Sequence, residues 1–245
     1  MPTKPVARAT PPRHGVARVI SKLGMGSRTQ AAQWVRDGRV RVNGRIVRDS
    51  ELPVRQGVDR IEVDGRESRA TRPLVLMLNK PRGLVTTTSD ERGRATVYSC
   101  LAGADLPWVA PVGRLDKDSE GLLLFSNDPV WAAGITDPGC GPRKTYHVQI
   151  DRLPSERLLG DLERGVVLGG KRLAAASVRC LRAGRTRAWL EIVLDEGRNR
   201  QIRRLLSNFE VAVVRLVRVA IGALELGELP KGQWRMLSPR EIASL

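Results

Sequence analysis

Asp116 stands in the stretch Val112-Gly113-Arg114-Leu115-Asp116-Lys117-Asp118-Ser119-Glu120-Gly121-Leu122-Leu123-Leu124-Phe125, where a Gly-Arg-Leu-Asp turn leads through a polar acidic loop into four consecutive apolar residues. The apolar run reads as a buried strand bounded by Asn127-Asp128-Pro129, so a carboxylate is carried to the edge of a core. A carboxylate held there can do covalent or acid-base chemistry if it stays ionised. Burial raises a carboxylate pKa, and the neighbouring Arg114 would oppose that rise. The plainer alternative is an aspartate that accepts backbone hydrogen bonds in a glycine turn, its commonest use.

Two further stretches carry side chains suited to chemistry. In Arg143-Lys144-Thr145-Tyr146-His147-Val148, one of the chain's two tyrosines sits on an alternating strand between basic residues. A core tyrosine with a satisfied hydroxyl is the bland alternative to a base-stacking ring. In Asp195-Glu196-Gly197-Arg198-Asn199-Arg200-Gln201-Ile202-Arg203-Arg204-Leu205-Leu206, a Gly-Arg-Asn-Arg turn opens a short helix that presents arginine repeatedly. Such a helix suits phosphate binding or the pairing of one arginine with a buried carboxylate, and is otherwise a solvated basic face.

These residues need elements to hold them. Strands are expected at Leu74 to Leu78, Leu122 to Phe125, Tyr146 to Ile150, Trp189 to Leu194, Val211 to Val219 and Trp234 to Leu237. Helices are expected near Ser155 to Arg164, where Leu158, Leu159 and Leu162 share a face, and from Gln201 to Ser207. This irregular alternation favours an α+β domain with a mainly antiparallel sheet. Residues 15–65 form a small unit of their own. Val16, Val19, Ile20 and Leu23 share one helix face. Ser27 can cap a second helix with Ala31, Ala32, Trp34 and Val35, ending at Gly38. Two short runs around Asn43-Gly44 form a hairpin, and a further strand spans Asp59 to Val63. Residues 1–14 read as a disordered basic tail and 66–72 as an Arg-rich linker, leaving 73–245 as the larger domain.

At 245 residues and 41% hydrophobic content the chain can bury a core. Its 42 Lys and Arg against 26 Asp and Glu give a net charge of +16, and the pI is about 11.1, which points to a polyanionic partner. No apolar run approaches the roughly 20 residues of a membrane span, and most of the bases are arginine, so nucleic acid is favoured over lipid. Cys100, Cys140 and Cys180 are widely spaced with only His14 and His147 for company, which argues against a disulfide framework and a zinc site. The amino terminus lacks a secretory signal, and a reducing cytoplasm is the expected location.

The amino-terminal unit resembles the S-four type RNA-binding module in Gly26-Ser27-Arg28, Trp34-Val35-Arg36-Asp37-Gly38-Arg39-Val40 and Val42-Asn43-Gly44. Arg28, Arg36 and Arg39 are its expected RNA contacts. The remainder is similar to pseudouridine synthases of the bacterial ribosomal small-subunit type. The matching segments are Leu78-Asn79-Lys80-Pro81-Arg82-Gly83, Gly113-Arg114-Leu115-Asp116 with Glu120-Gly121-Leu122-Leu123-Leu124, Lys144-Thr145-Tyr146, and Glu196 through Arg204. Ser119 departs from the threonine common in that family, and Phe125-Ser126 from leucine and threonine.

The resemblance implies conversion of a uridine in RNA to pseudouridine, with the base flipped out of its stack. Asp116 would attack the sugar or remove a sugar proton, Tyr146 would stack on the uracil, and Arg203 would pair with Asp116. Arg114 would open the stack or hold phosphate, and Lys80, Arg82 and Arg200 would contact RNA. The run Leu122 to Phe125 would underlie the pocket. No cofactor or metal is implied. The expected partner is ribosomal RNA or a ribosomal subunit precursor, the large subunit slightly favoured, with no membrane and a monomeric enzyme. The alternatives are a non-catalytic RNA-binding assembly factor and a DNA-binding regulator, the latter lacking a major-groove helix signature.

Overall fold

The computed structural model describes residues 12–67, 72–88 and 90–245. The chain divides into two compact units. The first takes the described residues up to Pro73 together with Asp105–Val109, and the second comprises Leu74–Ala104 and Ala110–Leu245. The expected tail and linker fall mostly outside the described residues.

In the first unit, β1 (Arg13–Gly15) leads directly into α1 (Val16–Lys22), followed by α2 (Arg28–Arg36), β2 (Val40–Val42), β3 (Arg45–Ile46), β4 (Pro53–Arg55), β5 (Ile61–Val63) and β6 (Arg66–Glu67). Pairing of β1 with β4 draws Arg13 and His14 out of the expected tail, and pairing of β6 with β5 does the same for Arg66 and Glu67 of the expected linker. Ser27 caps α2 through a full capping box with Gln30, satisfying two backbone donors that the first turn leaves free. Asn43 (φ 50°) and Gly44 (φ 81°) close the β2–β3 hairpin with the two left-handed residues that a tight turn requires. Val16, Val19, Ile20, Ala31, Val35, Val40 and Ile61 bury themselves between the helix pair and the strands.

The second unit is built on a nine-stranded sheet, with one further pair of strands joined separately. In chain order its elements are β7 (Val75–Lys80), β8 (Ala110–Val112), β9 (Glu120–Ser126), α3 (Pro129–Thr136), β10 (Lys144–Ile150), α4 (Glu156–Arg164), β11 (Val166–Leu168), β12 (Lys171–Leu173), β13 (Ser177–Ala183), β14 (Ala188–Leu194), α5 (Gln201–Ser207), β15 (Val213–Ile221), β16 (Leu224–Glu225), β17 (Trp234–Met236) and α6 (Pro239–Ala243). The main sheet runs β13-β14-β10-β15-β9-β7-β17, with β16 added to β15 and β8 to β9. Every pairing in it is antiparallel except β15 with β9. The expected α+β architecture is therefore present. Strand β9 is buried along its whole length, which is why it reads as a continuous apolar run, whereas β10 and β14 alternate strictly.

The parallel contact depends on one glycine. Gly121 has φ +100°, and a Cβ there would lie 2.2 Å from the Arg218 carbonyl oxygen and 2.9 Å from its nitrogen. Next to it, Glu120 is 3% exposed and accepts from Arg215 at 2.7 and 3.0 Å, with Lys231 at 2.5 Å. Burial alone would raise the Glu120 pKa, but the two cations outweigh it and hold the carboxyl at about 2. A folded-state value below the unfolded one contributes stability above about pH 4.5 and loses it as pH falls towards 2. Glu120→Gln is therefore expected to cost roughly 2–3 kcal/mol at neutral pH, both cations being partly solvated. Urea unfolding should show that difference shrinking as the pH is lowered from about 5 to about 2.

Candidate active site

Asp116 sits in the connection between β8 and β9, a loop held from several sides. Leu115 is buried, its carbonyl accepts from Thr86 Oγ1 at 2.7 Å, and the Ser119 amide closes a turn on the Asp116 carbonyl at 3.0 Å. The Gly83 amide donates to the Lys117 carbonyl at 2.8 Å, and Arg203 Nη2 donates to the Asp118 carbonyl at 3.2 Å. The Asp116 carboxylate, about one quarter exposed, lies 3.7 Å from Arg200 Nη1.

Lys80, expected as an RNA contact, is placed inside this loop. Its side chain is fully buried, and Nζ donates to Ser119 O at 2.8 Å and Pro81 O at 3.1 Å and approaches Lys117 O at 3.5 Å. An ammonium held among carbonyls inside the core is turned away from solvent, unlike the solvent-facing side chain expected from its basic turn. Burial lowers its pKa to about 8, against the pull of Glu120, Asp116 and Asp118. Arg82, by contrast, is exposed and lies 3.9 Å from Asp118.

A cavity of about 540 Å³ opens at this loop, lined by Asp116 and Arg114 together with Lys144, Tyr146 and Arg218. Strand β10 supplies Tyr146 in the inward register with Lys144, Val148 and Ile150; the ring is 8% exposed. Arg198 and Arg200 complete the basic rim, with the buried Gln201 amide also on the lining. The apolar lining comes from Val112, Leu115, Leu194, Leu216 and Ile221. Leu122 and Leu124 pack in the core with Val112 and Ile221, behind the lining. The cavity thus combines a carboxylate, an aromatic ring, cations and apolar walls, a set able to hold a planar base and break a bond at a carbon that develops positive charge.

Arg203 is placed differently from its sequence-based expectation. Within ion-pair distance of Asp116 lies Arg200, whose left-handed backbone (φ 48°) starts α5. Arg203, one turn further, lines an adjacent open groove of about 800 Å³ together with Arg200 and Arg204. Its Nη1 is 3.4 Å from Val213 O and its buried Nε has no partner among the described residues. Burial, and then the charge of Arg200, lower its pKa against the pull of Asp118 and Asp116. Among the cavity residues that sequence reasoning left out are Lys144 and Arg218. Each is a charged residue at an inward position of an otherwise apolar alternation, and that parity was the available signal.

The arginines expected to bind RNA in the first unit are exposed. Arg28 lies 3.3 Å from Glu51, and Arg36 donates to Gln33 at 2.7 Å. Arg39 is more committed: it reaches Asp64 through two hydrogen bonds of 2.9 and 2.5 Å, with its guanidinium 5.6 Å from the Trp34 ring centre. Among the described residues no helix is long and apolar enough to cross a membrane, and no group of three or more His, Cys, Asp or Glu could hold a metal ion.

Comparison with known proteins places these features in context. Residues 74–208 match the family model described as RNA pseudouridylate synthase, and residues 16–59 match the S4 domain. The chain is 34% identical over 231 residues to ribosomal large subunit pseudouridine synthase B of Bacillus subtilis strain 168, covering 93% of each. It is also 34% identical to an uncharacterized RNA pseudouridine synthase of Aquifex aeolicus strain VF5, over 94% of this chain and 92% of that one. A crystal structure of a pseudouridylate synthase superposes with a TM-score of 0.66 at 27% identity, covering 94% of this chain and 99% of the other.

Proposed function

Because the chain belongs to the RNA pseudouridylate synthase family and carries an S4 domain, we propose that it isomerises one uridine of large-subunit ribosomal RNA to pseudouridine, with Asp116 as the reacting carboxylate. The observation that carries the assignment of roles is the meeting of Asp116 and Tyr146 in one cavity with apolar walls and a basic rim. The name of the Bacillus subtilis relative supports the large subunit as the substrate.

In this reading the uridine flips into the cavity and its ring lies against Tyr146. Asp116 adds to the sugar carbon or takes a proton from its neighbour as the glycosidic bond opens. The base turns within the apolar walls, which exclude water while the intermediate lives. It reattaches through carbon, and the Tyr146 hydroxyl assists removal of the proton from that carbon. Arg200 lies within ion-pair distance of Asp116 and orients it, and Arg203 supports the loop through the Asp118 carbonyl. Arg114 and Arg82, both exposed, meet the RNA. The enzyme acts as a cytoplasmic monomer.

The S4 unit contributes affinity rather than chemistry. Arg28→Gln with Arg36→Gln is expected to weaken RNA binding roughly tenfold and to reduce the slope of log K against log salt by about one to two. Filter binding across a salt series checks this, and product formation at saturating RNA should persist. Arg39, held by Asp64, is expected to matter more for folding of the unit.

The deciding test is pseudouridine mapping on ribosomal RNA from cells with and without the protein, complemented by wild type or by Asp116→Asn. One large-subunit site that vanishes and returns only with wild type supports the full reading. A site in small-subunit RNA would overturn the choice of substrate. Persistence of every pseudouridine, together with inactivity of the purified protein, would favour an RNA-binding assembly role.

A further inference from the structure

Two buried cations face the cavity without an anionic partner among the described residues. Arg218 is 5% exposed and Lys144 8%. Arg218 Nε donates to Leu122 O at 2.7 Å, whereas Nη2 is buried and has no hydrogen-bond partner. Two buried cations on a cavity wall without an anion cost stability, so their retention points to a negative charge that arrives in the cavity later.

The backbone around Arg218 is shaped to aim it. Tyr146 on β10 pairs with Arg218 on β15, whereas Thr145 pairs with Ala220, so a bulge falls directly beyond Arg218. Bulges of this kind re-aim a side chain next to a site. On the other side of β15, Arg218 pairs with Gly121, the residue whose missing Cβ lets the two backbones approach. Paired residues project to the same sheet face, and Arg218 and Tyr146 both line the cavity. Burial, and then the Arg218 charge, lower the Lys144 pKa, so the two cations repel one another until an anion arrives.

We propose that Arg218, backed by Lys144, stabilises the negative charge of the detached uracil through the positive charge its guanidinium holds at the cavity wall. The proposal rests on the reading that Asp116 opens the glycosidic bond. When the bond between C1′ and N1 breaks, its electron pair leaves with the base. If Asp116 adds to C1′, its charge is consumed in the new C–O bond; if it takes a proton from C2′, the charge is consumed in the new O–H bond. By either course one negative charge moves from the carboxylate to the uracil, spread over N1, O2 and O4. When the base reattaches through C5, its electron pair forms the new bond and the charge returns to the carboxylate, which departs or gives up its proton. Two fixed cations on the cavity wall match the charge after cleavage better than the neutral uridine before it, and a preorganised interaction of that kind lowers a barrier.

The test compares wild type, Arg218→Met, Arg218→Lys and Lys144→Met on a ribosomal RNA fragment that wild type modifies, carrying uridine or 5-fluorouridine at the target. Fluorine stabilises the base anion intrinsically, so that substrate needs less help from the protein. Arg218→Met is expected to slow single-turnover cleavage by about 10²–10³ on uridine, with RNA affinity within about threefold, and the defect should shrink at least about tenfold on 5-fluorouridine. Arg218→Lys should fall between wild type and Arg218→Met, and Lys144→Met should show the same base dependence at smaller amplitude. If Arg218→Met does not fold, the other two variants carry the comparison. Equal losses on both bases, or lost affinity without a change in rate, would overturn the proposal and leave Arg218 a strand-shaping residue. A wild type that forms pseudouridine in no ribosomal RNA would instead sink the activity on which the proposal rests.

Discussion

Asp116→Asn is expected to abolish pseudouridine formation, with a loss of at least about 10³-fold, and to leave the unfolding free energy within about 1 kcal/mol of wild type. The two halves of this expectation have separate causes. Asparagine keeps the shape of the side chain but can neither add to the sugar carbon as an anion nor accept its neighbour's proton, so the step that opens the bond has no substitute. Stability changes little because the carboxylate is partly solvated and its ion pair with Arg200 is long, at 3.7 Å. The loop holds its place through Leu115, Ser119 and Lys80, none of which touches the carboxylate in doing so.

Nearby acids provide the contrast. Glu196 also lines the cavity but is held by Arg198 at 2.7 Å, and Asp118 on the same loop is more than half exposed. Glu196→Gln and Asp118→Asn should each retain activity within about tenfold. Single-turnover assays on all three, with thermal melts alongside, decide the matter. An active Asp116→Asn would assign the chemistry elsewhere, and an unfolded one would reduce Asp116 to a turn residue.

The parts of this fold that were legible in the sequence are those whose signals are local. The Asn43-Gly44 hairpin, the Ser27 cap and the uninterrupted apolar run of β9 each follow from residues a few positions apart, and each is where it was expected. Tyr146 likewise follows from period-two alternation, which fixes its face before any contact is known. What was not legible depends on distant partners or edges. Strand β13 lies at the sheet edge with mostly exposed residues, so no alternation announces it. Helix α3 begins at Pro129, capped by Asp128, in a segment that read as a turn because Asn-Asp-Pro serves both purposes. The parallel contact of β9 with β15 joins residues nearly one hundred positions apart.

The site shows the same division. Resemblance named the arginine that pairs with Asp116 as Arg203, but the left-handed Arg200 starts α5 so that Arg200 approaches the carboxylate and Arg203 turns towards the groove. A backbone angle at one residue decides this, and residue type does not reveal it. Lys80 illustrates the opposite difficulty. A lysine beside Pro81, Arg82 and Gly83 looks like part of a basic turn facing solvent, whereas β7 ends two residues later than composition suggests and carries the ammonium inside.

Lys80→Met therefore tests the loop as Asp116→Asn tests the chemistry. Methionine fills nearly the same space but offers no donor, leaving the Ser119 and Pro81 carbonyls without that partner. We expect a loss of roughly 1–3 kcal/mol in stability, and a fall of about 10² in the rate of the chemical step from a loop that no longer holds Asp116 to a fraction of an ångström. Packing alone would give a stability difference independent of pH; a buried ammonium would not. Because burial lowers the folded-state pKa from 10.5 to about 8, the folded protein releases this proton at a pH where the unfolded chain still keeps it. The stability that Lys80 contributes must then rise with pH between those two values, and the gap between wild type and Lys80→Met should widen by more than about 1 kcal/mol from about pH 7.5 to about pH 10. Guanidinium unfolding at both ends of that range measures it. A flat gap would mean that Lys80 supports the loop by filling space, and that the carbonyls around it are satisfied by something other than its charge.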